Sequence, residues 1–178
     1  MSTPLLVLVG PPASGKTTVG TAVAQALGVG FRDTDADIVA ETGTSVADLF
    51  VTEGEPHFRA LEEAAVARAL AGHDGVLALG GGAVMSAATR ELLVGYGRDG
   101  GTVVRLDIDV ATAAKRAGFS RDRPLLAVNP RAMLREMLAT RDPLYAEVAT
   151  HTVTTSGREP SDVMADVLAA LPTKPADR

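Results

Sequence analysis

Apolar residues fall along this chain in two alternating modes, short continuous runs and longer stretches in which they recur every three or four positions. Leu5 to Val9 and Val76 to Leu79 belong to the first mode, as expected of strands buried on both faces of a parallel sheet. Thr102 to Leu106 reads as another strand, with a shorter one at Val29 to Arg32 and a β-rich one at Thr150 to Thr155. Between the strands the period becomes helical. The helix from Lys16 places Val19, Val23, Ala26 and Leu27 on one face and stops at Gly28. Helical segments follow over Asp35 to Glu41 and Ser45 to Thr52, with breaks at Gly43 and Gly54. Glu55 to Leu70 carries Phe58, Leu61, Ala65 and Ala69 at core spacing.

Three further helices complete the alternation, over Ser86 to Val94, over Val110 to Ala117, and at the end with Val163, Val167, Leu168 and Leu171 on one face. Another is opened by Asn129 as cap and Pro130 in its first turn, with Met133, Leu134, Met137 and Leu138 expected to face inward. Pro143 should end or kink it, leaving Arg141 in its last turn. Gly95 to Gly101 reads as a loop. Gly118 to Asn129 has no period and holds Arg121, Arg123 and Pro124, so a mobile loop or lid is expected there. The alternation predicts a three-layer α/β/α sandwich around a five-stranded parallel sheet, one domain over residues 1–172 with a flexible tail at 173–178.

Composition narrows the function classes. The net charge of -5 argues against nucleic acid as the main partner. There is no cysteine, which removes disulfides, thiolate metal sites and thiol nucleophiles and suits a reducing cytoplasm. No apolar run approaches the roughly 18 residues of a membrane span, and the N-terminus lacks a basic region with a hydrophobic core. A cytoplasmic protein with no membrane partner, working as a monomer, is expected.

The candidate chemistry begins after the first strand. Gly10-Pro11-Pro12-Ala13-Ser14-Gly15-Lys16-Thr17 has the spacing G-x-x-x-x-G-K-[ST] of the phosphate-binding P-loop. Such a loop turns backbone N–H groups inward on a nucleotide's phosphates, at the positive end of the helix that follows. Pro12, Ala13, Ser14, Gly15, Lys16, Thr17 and Thr18 are therefore the candidate nucleotide-binding residues. Lys16 would reach the β- and γ-phosphates and Thr17 would ligate Mg²⁺. Asp33-Thr34-Asp35 ends the second strand, at the edge where open α/β sheets bind ligands. Gly80-Gly81-Gly82, directly after the third strand, lets a backbone lie flat against a ligand or forms a flexible turn. Base-reading N-K-x-D motifs are absent, because Asn129 is followed by Pro130. Small-molecule kinases are the class that remains.

With these elements in order, Gly54-Glu55-Pro56-His57-Phe58-Arg59-Ala60-Leu61-Glu62, Leu79-Gly80-Gly81-Gly82-Ala83, Arg123-Pro124-Leu125-Leu126 and Arg141-Asp142-Pro143-Leu144-Tyr145 resemble shikimate kinase over nearly the whole chain. The resemblance implies a P-loop, nucleoside-monophosphate-kinase-like fold and transfer of phosphate from MgATP, with one Mg²⁺ per subunit, to the 3-hydroxyl of shikimate. Arg59 and Arg141 match the family's carboxylate-binding arginines, with Glu62 holding Arg59. Asp35 matches the aspartate that binds the acceptor hydroxyls and is the candidate base. Asp33 falls to Mg²⁺ beside Thr17, or to a helix cap, or to both. Gly80, Gly81 and Gly82 would present backbone N–H groups to the substrate. Arg123 matches the lid arginine that closes over the phosphates, and Arg116 and Arg158 match adenine-side positions.

Three departures accompany the match, one of them Lys115-Arg116 in place of a common pair of arginines. Ala13 stands where glycine is common, and the stretch Gly95 to Gly101 looks long, with no role evident for Tyr96. The alternatives are a gluconate kinase-like enzyme, which would not require the Arg59 and Arg141 pair, a nucleoside monophosphate kinase, or a non-catalytic ATP-binding sensor.

Overall fold

The computed structural model of the chain describes residues 3–118 and 129–172. Strands β1 (Leu6–Val9), β2 (Phe31–Asp33), β3 (Val76–Ala78), β4 (Val103–Asp107) and β5 (His151–Thr154) form one sheet in the order β2-β3-β1-β4-β5. Every neighbouring pair is parallel. The helices are α1 (Lys16–Leu27), α2 (Thr34–Thr42), α3 (Val46–Thr52), α4 (Glu55–Gly72), α5 (Ala87–Arg98), α6 (Val110–Arg116), α7 (Pro130–Val148) and α8 (Pro160–Ala169), with a 3₁₀ turn at Ala83–Met85. The expected α/β/α layering is borne out, and strand limits fall within one or two residues of those read from the sequence.

Alternation along β1 explains the layers. Leu6 and Leu8 join Val19 and Val23 of α1 and Val163 and Val167 of α8 on one face. Val7 and Val9 join Val66 of α4, Leu93 of α5 and Val148 of α7 on the other. Each of the four is buried, contributing about 2 kcal/mol by removal from water. A separate cluster of Ile38, Leu49, Phe58 and Ala65 ties α2, α3 and α4 together. Ile108, Ala113, Ala114 and Leu134 join α6 to α7.

Three local expectations are corrected. The expected loop from Gly95 is helical as far as Arg98. The Tyr96 hydroxyl donates to the Pro4 carbonyl at 2.8 Å, and its ring packs so closely on Gly101 that a Cβ there would lie 2.4 Å from it. Packing thus overrides the low helix propensity of Gly95 and Gly97. Pro143 lies inside α7 instead of ending it, so Arg141 is mid-helix. A mid-helix proline costs about 3 kcal/mol. Tyr145 and Val148, both buried just beyond it, each return about 2 kcal/mol. Met133, expected inside, is 64% exposed, and Met137 is only partly buried. Leu134 is buried against α6, with Met137 and Leu138 packed beside it.

Candidate active site

The sheet order brings three loops side by side at the carboxyl ends of β2, β3 and β1: Asp33 to Asp35, Gly80 to Gly82, and the P-loop. The P-loop runs from β1 into α1, with Gly15 at φ 94° as the residue before the helix. Lys16 Nζ donates to the carbonyls of Gly10 and Pro11 at 2.8 and 2.9 Å, so its ammonium lies across the loop it closes. Burial lowers its pKa to about 8, against the charges of Asp35 and Asp33, which favour the ammonium. Ser14 Oγ is buried with no partner among the described residues. An orphaned hydroxyl inside a phosphate loop suits an incoming anion.

Asp33 serves two neighbours at once. Its Oδ1 accepts from Asp35 N–H at 3.0 Å as the cap of α2, and its Oδ2 accepts from the Thr17 hydroxyl at 3.1 Å. The Thr17 and Asp33 oxygens fit a hard cation, and Mg²⁺ would complete its coordination with phosphate oxygens and water. Among the described residues no group of three His, Cys, Asp or Glu side chains could hold a metal alone.

Asp35 projects from the first turn of α2 toward the glycine turn. Its Oδ1 is buried and has no partner among the described residues. Burial, then the charge of Asp33, raises its pKa, while Lys16 and Arg59 oppose the shift. A carboxylate placed this way is a better base than a solvated one.

The three glycines form a fixed platform. A Cβ at Gly80 would lie 2.5 Å from Asp35 Oδ1 and 2.7 Å from Glu62 Oε1, one at Gly81 2.7 Å from Pro12 Cδ, and one at Gly82 2.1 Å from Arg59 Nη1. Only glycine allows both halves of the site to close on this turn. Gly80 N–H is already committed to Thr34 Oγ1 at 3.0 Å, which corrects the expectation that all three glycines offer an N–H outward. Gly81 O accepts from Arg141 Nη1 at 3.1 Å and from the Tyr145 hydroxyl at 2.5 Å. Burial pushes the Tyr145 phenol up to about 12, so it remains a donor.

Arg59 is the most tightly held cation of the site. Nη1 donates to Glu62 Oε2 at 2.5 Å, and Nε and Nη2 donate to Glu55 Oε1 at 3.2 and 3.1 Å. Its guanidinium also lies 5.5 Å from the ring centroids of both Phe50 and Phe58. Burial works against its charge, and Glu62 and then Glu55 override this, so its pKa is raised. Glu62 is 2% exposed, and burial raises its pKa despite the pull of Arg59. Glu62 thus holds Arg59 from inside the fold and not as a surface ion pair.

On the other side of the P-loop lies a cleft of about 450 Å³ lined by Ala13, Ser14, Gly15, Thr18, Arg116 and Arg158, together with Thr155 and Pro160. Arg116 donates to Ala13 O at 3.2 Å and Thr155 O at 3.0 Å. Arg158 is tied to Asp166 at 2.7 Å. Both adenine-side candidates thus meet the P-loop in one place. Arg121 and Arg123, with most of the expected lid, lie outside the described residues. Sequence reasoning missed the roles of Thr34, Phe50 and Tyr145. Thr34, which holds the glycine turn, stood between the two aspartates, and Tyr145 closed a motif already singled out.

A family model described as shikimate kinase matches residues 12–172. The chain belongs to the shikimate kinase family. A shikimate kinase of Salinispora tropica is 55% identical over 170 residues, covering 96% of this chain and 99% of that one. The solved shikimate kinase from Acinetobacter baumannii, in complex with shikimate, matches with a TM-score of 0.82 at 38% identity, covering 94% of this chain and 92% of that one. A gluconokinase from Sinorhizobium meliloti matches at 0.65 and 23% identity, with 93% and 89% covered, and shares the fold alone. Family membership therefore favours the shikimate site over the gluconate alternative.

Proposed function

We propose that the cleft of Arg116 and Arg158 and the site around Asp35 and the glycine turn divide one reaction, ATP-dependent phosphorylation of shikimate, with the P-loop between them. That reaction is the family's, and it is this chain's. The proposal concerns which residues perform it. The observation that carries the assignment is the buried Asp35 Oδ1 beside the glycine turn, without a partner among the described residues. A hydroxyl donor there satisfies an acceptor that otherwise costs about 1–3 kcal/mol.

The nucleotide base enters the cleft of Arg116 and Arg158, and the phosphates lie along Pro12 to Thr18. Lys16 and the N–H groups of α1 hold their charge. Thr17 and Asp33 would hold Mg²⁺ together with the phosphates, and the bound ion would supply charge neutralisation there. Arg59 and Arg141 receive the carboxylate of shikimate and so fix its ring, turning the 3-hydroxyl to Asp35. As that oxygen bonds to the γ-phosphorus and the bond to the β-phosphate oxygen breaks, Asp35 takes the hydroxyl proton, giving shikimate 3-phosphate and ADP. Arg123 adds positive charge where the equatorial oxygens carry negative charge. The protein works in this reading as a cytoplasmic monomer with small molecules as its only partners.

The test is ADP release with MgATP and shikimate, gluconate or no acceptor. Release that depends on shikimate is expected. Asp35→Ala should lower kcat by about 10²–10⁴, while Arg59→Ala and Arg141→Ala should raise the KM for shikimate and spare that for ATP. Gluconate-dependent release, or unchanged shikimate affinity in both arginine variants, would refute the assignment.

A further inference from the structure

Between Val103 and Leu106, β4 is apolar but for one cation, Arg105. Val104 and Leu106 face α1 and α8, whereas Val103 packs on the side of α4, α5 and α7, so alternation places Arg105 on the α7 side. Strands with cover on both faces are ordinarily apolar at such positions. The Arg105 side chain is only 12% exposed, and its Nε is buried with no partner among the described residues. Nη2 donates to Asp107 Oδ1 at 2.7 Å and also to Asp142 Oδ1 on α7.

The position of Asp142 gives that second bond its meaning. It stands between Arg141, whose guanidinium reaches Gly81 O, and Pro143. Pro143 has no N–H, so the carbonyl of Ala139, four residues earlier, loses its helical partner. α7 therefore has a gap in its ladder at the turn from which Arg141 must be aimed. The charge of Arg105 is also felt at Tyr145, the other donor to Gly81 O.

We infer that Arg105 is a positioning residue for the acceptor acid: by gripping Asp142 it fixes α7 at the Pro143 gap and holds Arg141 and Tyr145 over Gly81. This rests on the reading of Arg141 as a carboxylate ligand given above. Arg105 itself need not touch substrate, because its bonds go to two aspartates. Its effect belongs to shikimate binding and leaves the nucleotide cleft, on the far side of the P-loop, untouched.

The experiment measures ADP release against shikimate and against ATP for Asp142→Asn, Arg105→Met, the double variant, Arg105→Lys and Arg141→Ala. Asp142 is 59% exposed, so its amide variant folds even if Arg105→Met does not. Each single loss should raise the shikimate KM about tenfold, with kcat and the ATP KM within about twofold and the double variant no worse than the worse single one. Arg105→Lys should recover part of the loss. A purely structural role would lower the urea midpoint without this split between the two KM values. If Arg141→Ala raises the shikimate KM and Asp142→Asn does not, the inference alone falls. If Arg141→Ala leaves that KM unchanged, the carboxylate reading falls first and takes the inference with it.

Discussion

Ala13 occupies left-handed backbone at φ 65°, in the one P-loop position where the sequence departs from the common glycine. That region costs an L-residue roughly 1–2 kcal/mol, and glycine's larger unfolded-state entropy returns part of it. Ala13→Gly is therefore expected to stabilise the protein by about 0.5–1 kcal/mol in urea denaturation. Equal or lower stability would show that the loop relieves the strain some other way. Gly82 is the reverse case: its φ of -102° suits alanine, so only space forbids a side chain. A Cβ would lie 2.1 Å from Arg59 Nη1, and Arg59 is fastened by Glu55, Glu62 and two phenylalanine rings. Gly82→Ala should fold and raise the shikimate KM about tenfold, since the displaced partner is the tip of one side chain. An unchanged KM would place the carboxylate elsewhere. Arg59, Glu62 and the glycines were legible as residues in the sequence. That Glu62 is internal, and that Gly80 N–H belongs to Thr34, depends on neighbours many positions away.

Among the elements, α6 links the sheet to the adenine side through its cap. Asp109 accepts from Thr112 N–H at 2.8 Å and from the Thr112 hydroxyl at 2.9 Å, while its own N–H donates to Ser156 Oγ. Hydrogen bonds from Ser156 and Thr112 hold its pKa down at about 2. A folded-state pKa below the unfolded one gives stabilisation that is complete above about pH 4 and lost as the pH falls toward 2. Asp109→Ala should cost about 1 kcal/mol near neutrality. The difference from the parent should shrink across that acidic window in denaturation curves taken at several pH values. A pH-independent difference would mean that the cap works without its charge. Most helices were legible from period and caps, Asn129 among the caps. The end of α5 and the passage of α7 through Pro143 were not, because both are decided by what Tyr96, Tyr145 and Val148 pack against.

For the whole molecule, the sheet serves as a frame whose interior tolerates change differently from its carboxyl edge. Leu93 of α5 is fully buried in the α4, α5 and α7 layer. Leu93→Ala should cost about 2–5 kcal/mol and leave both KM values near those of the parent; a selective rise in one would show that this layer tunes a substrate site. The sequence by itself determined the strands, most helices, the P-loop and the family motifs, since these rest on local period, caps and fixed spacing. Only the tertiary structure decided the strand order β2-β3-β1-β4-β5, which sets Asp35, the glycine turn and the P-loop side by side although the chain visits them in another order. It also decided that Arg105 reaches across to Asp142. Such pairings join residues far apart in the chain, and which of them form is set by how the layers pack as a whole rather than by any local pattern.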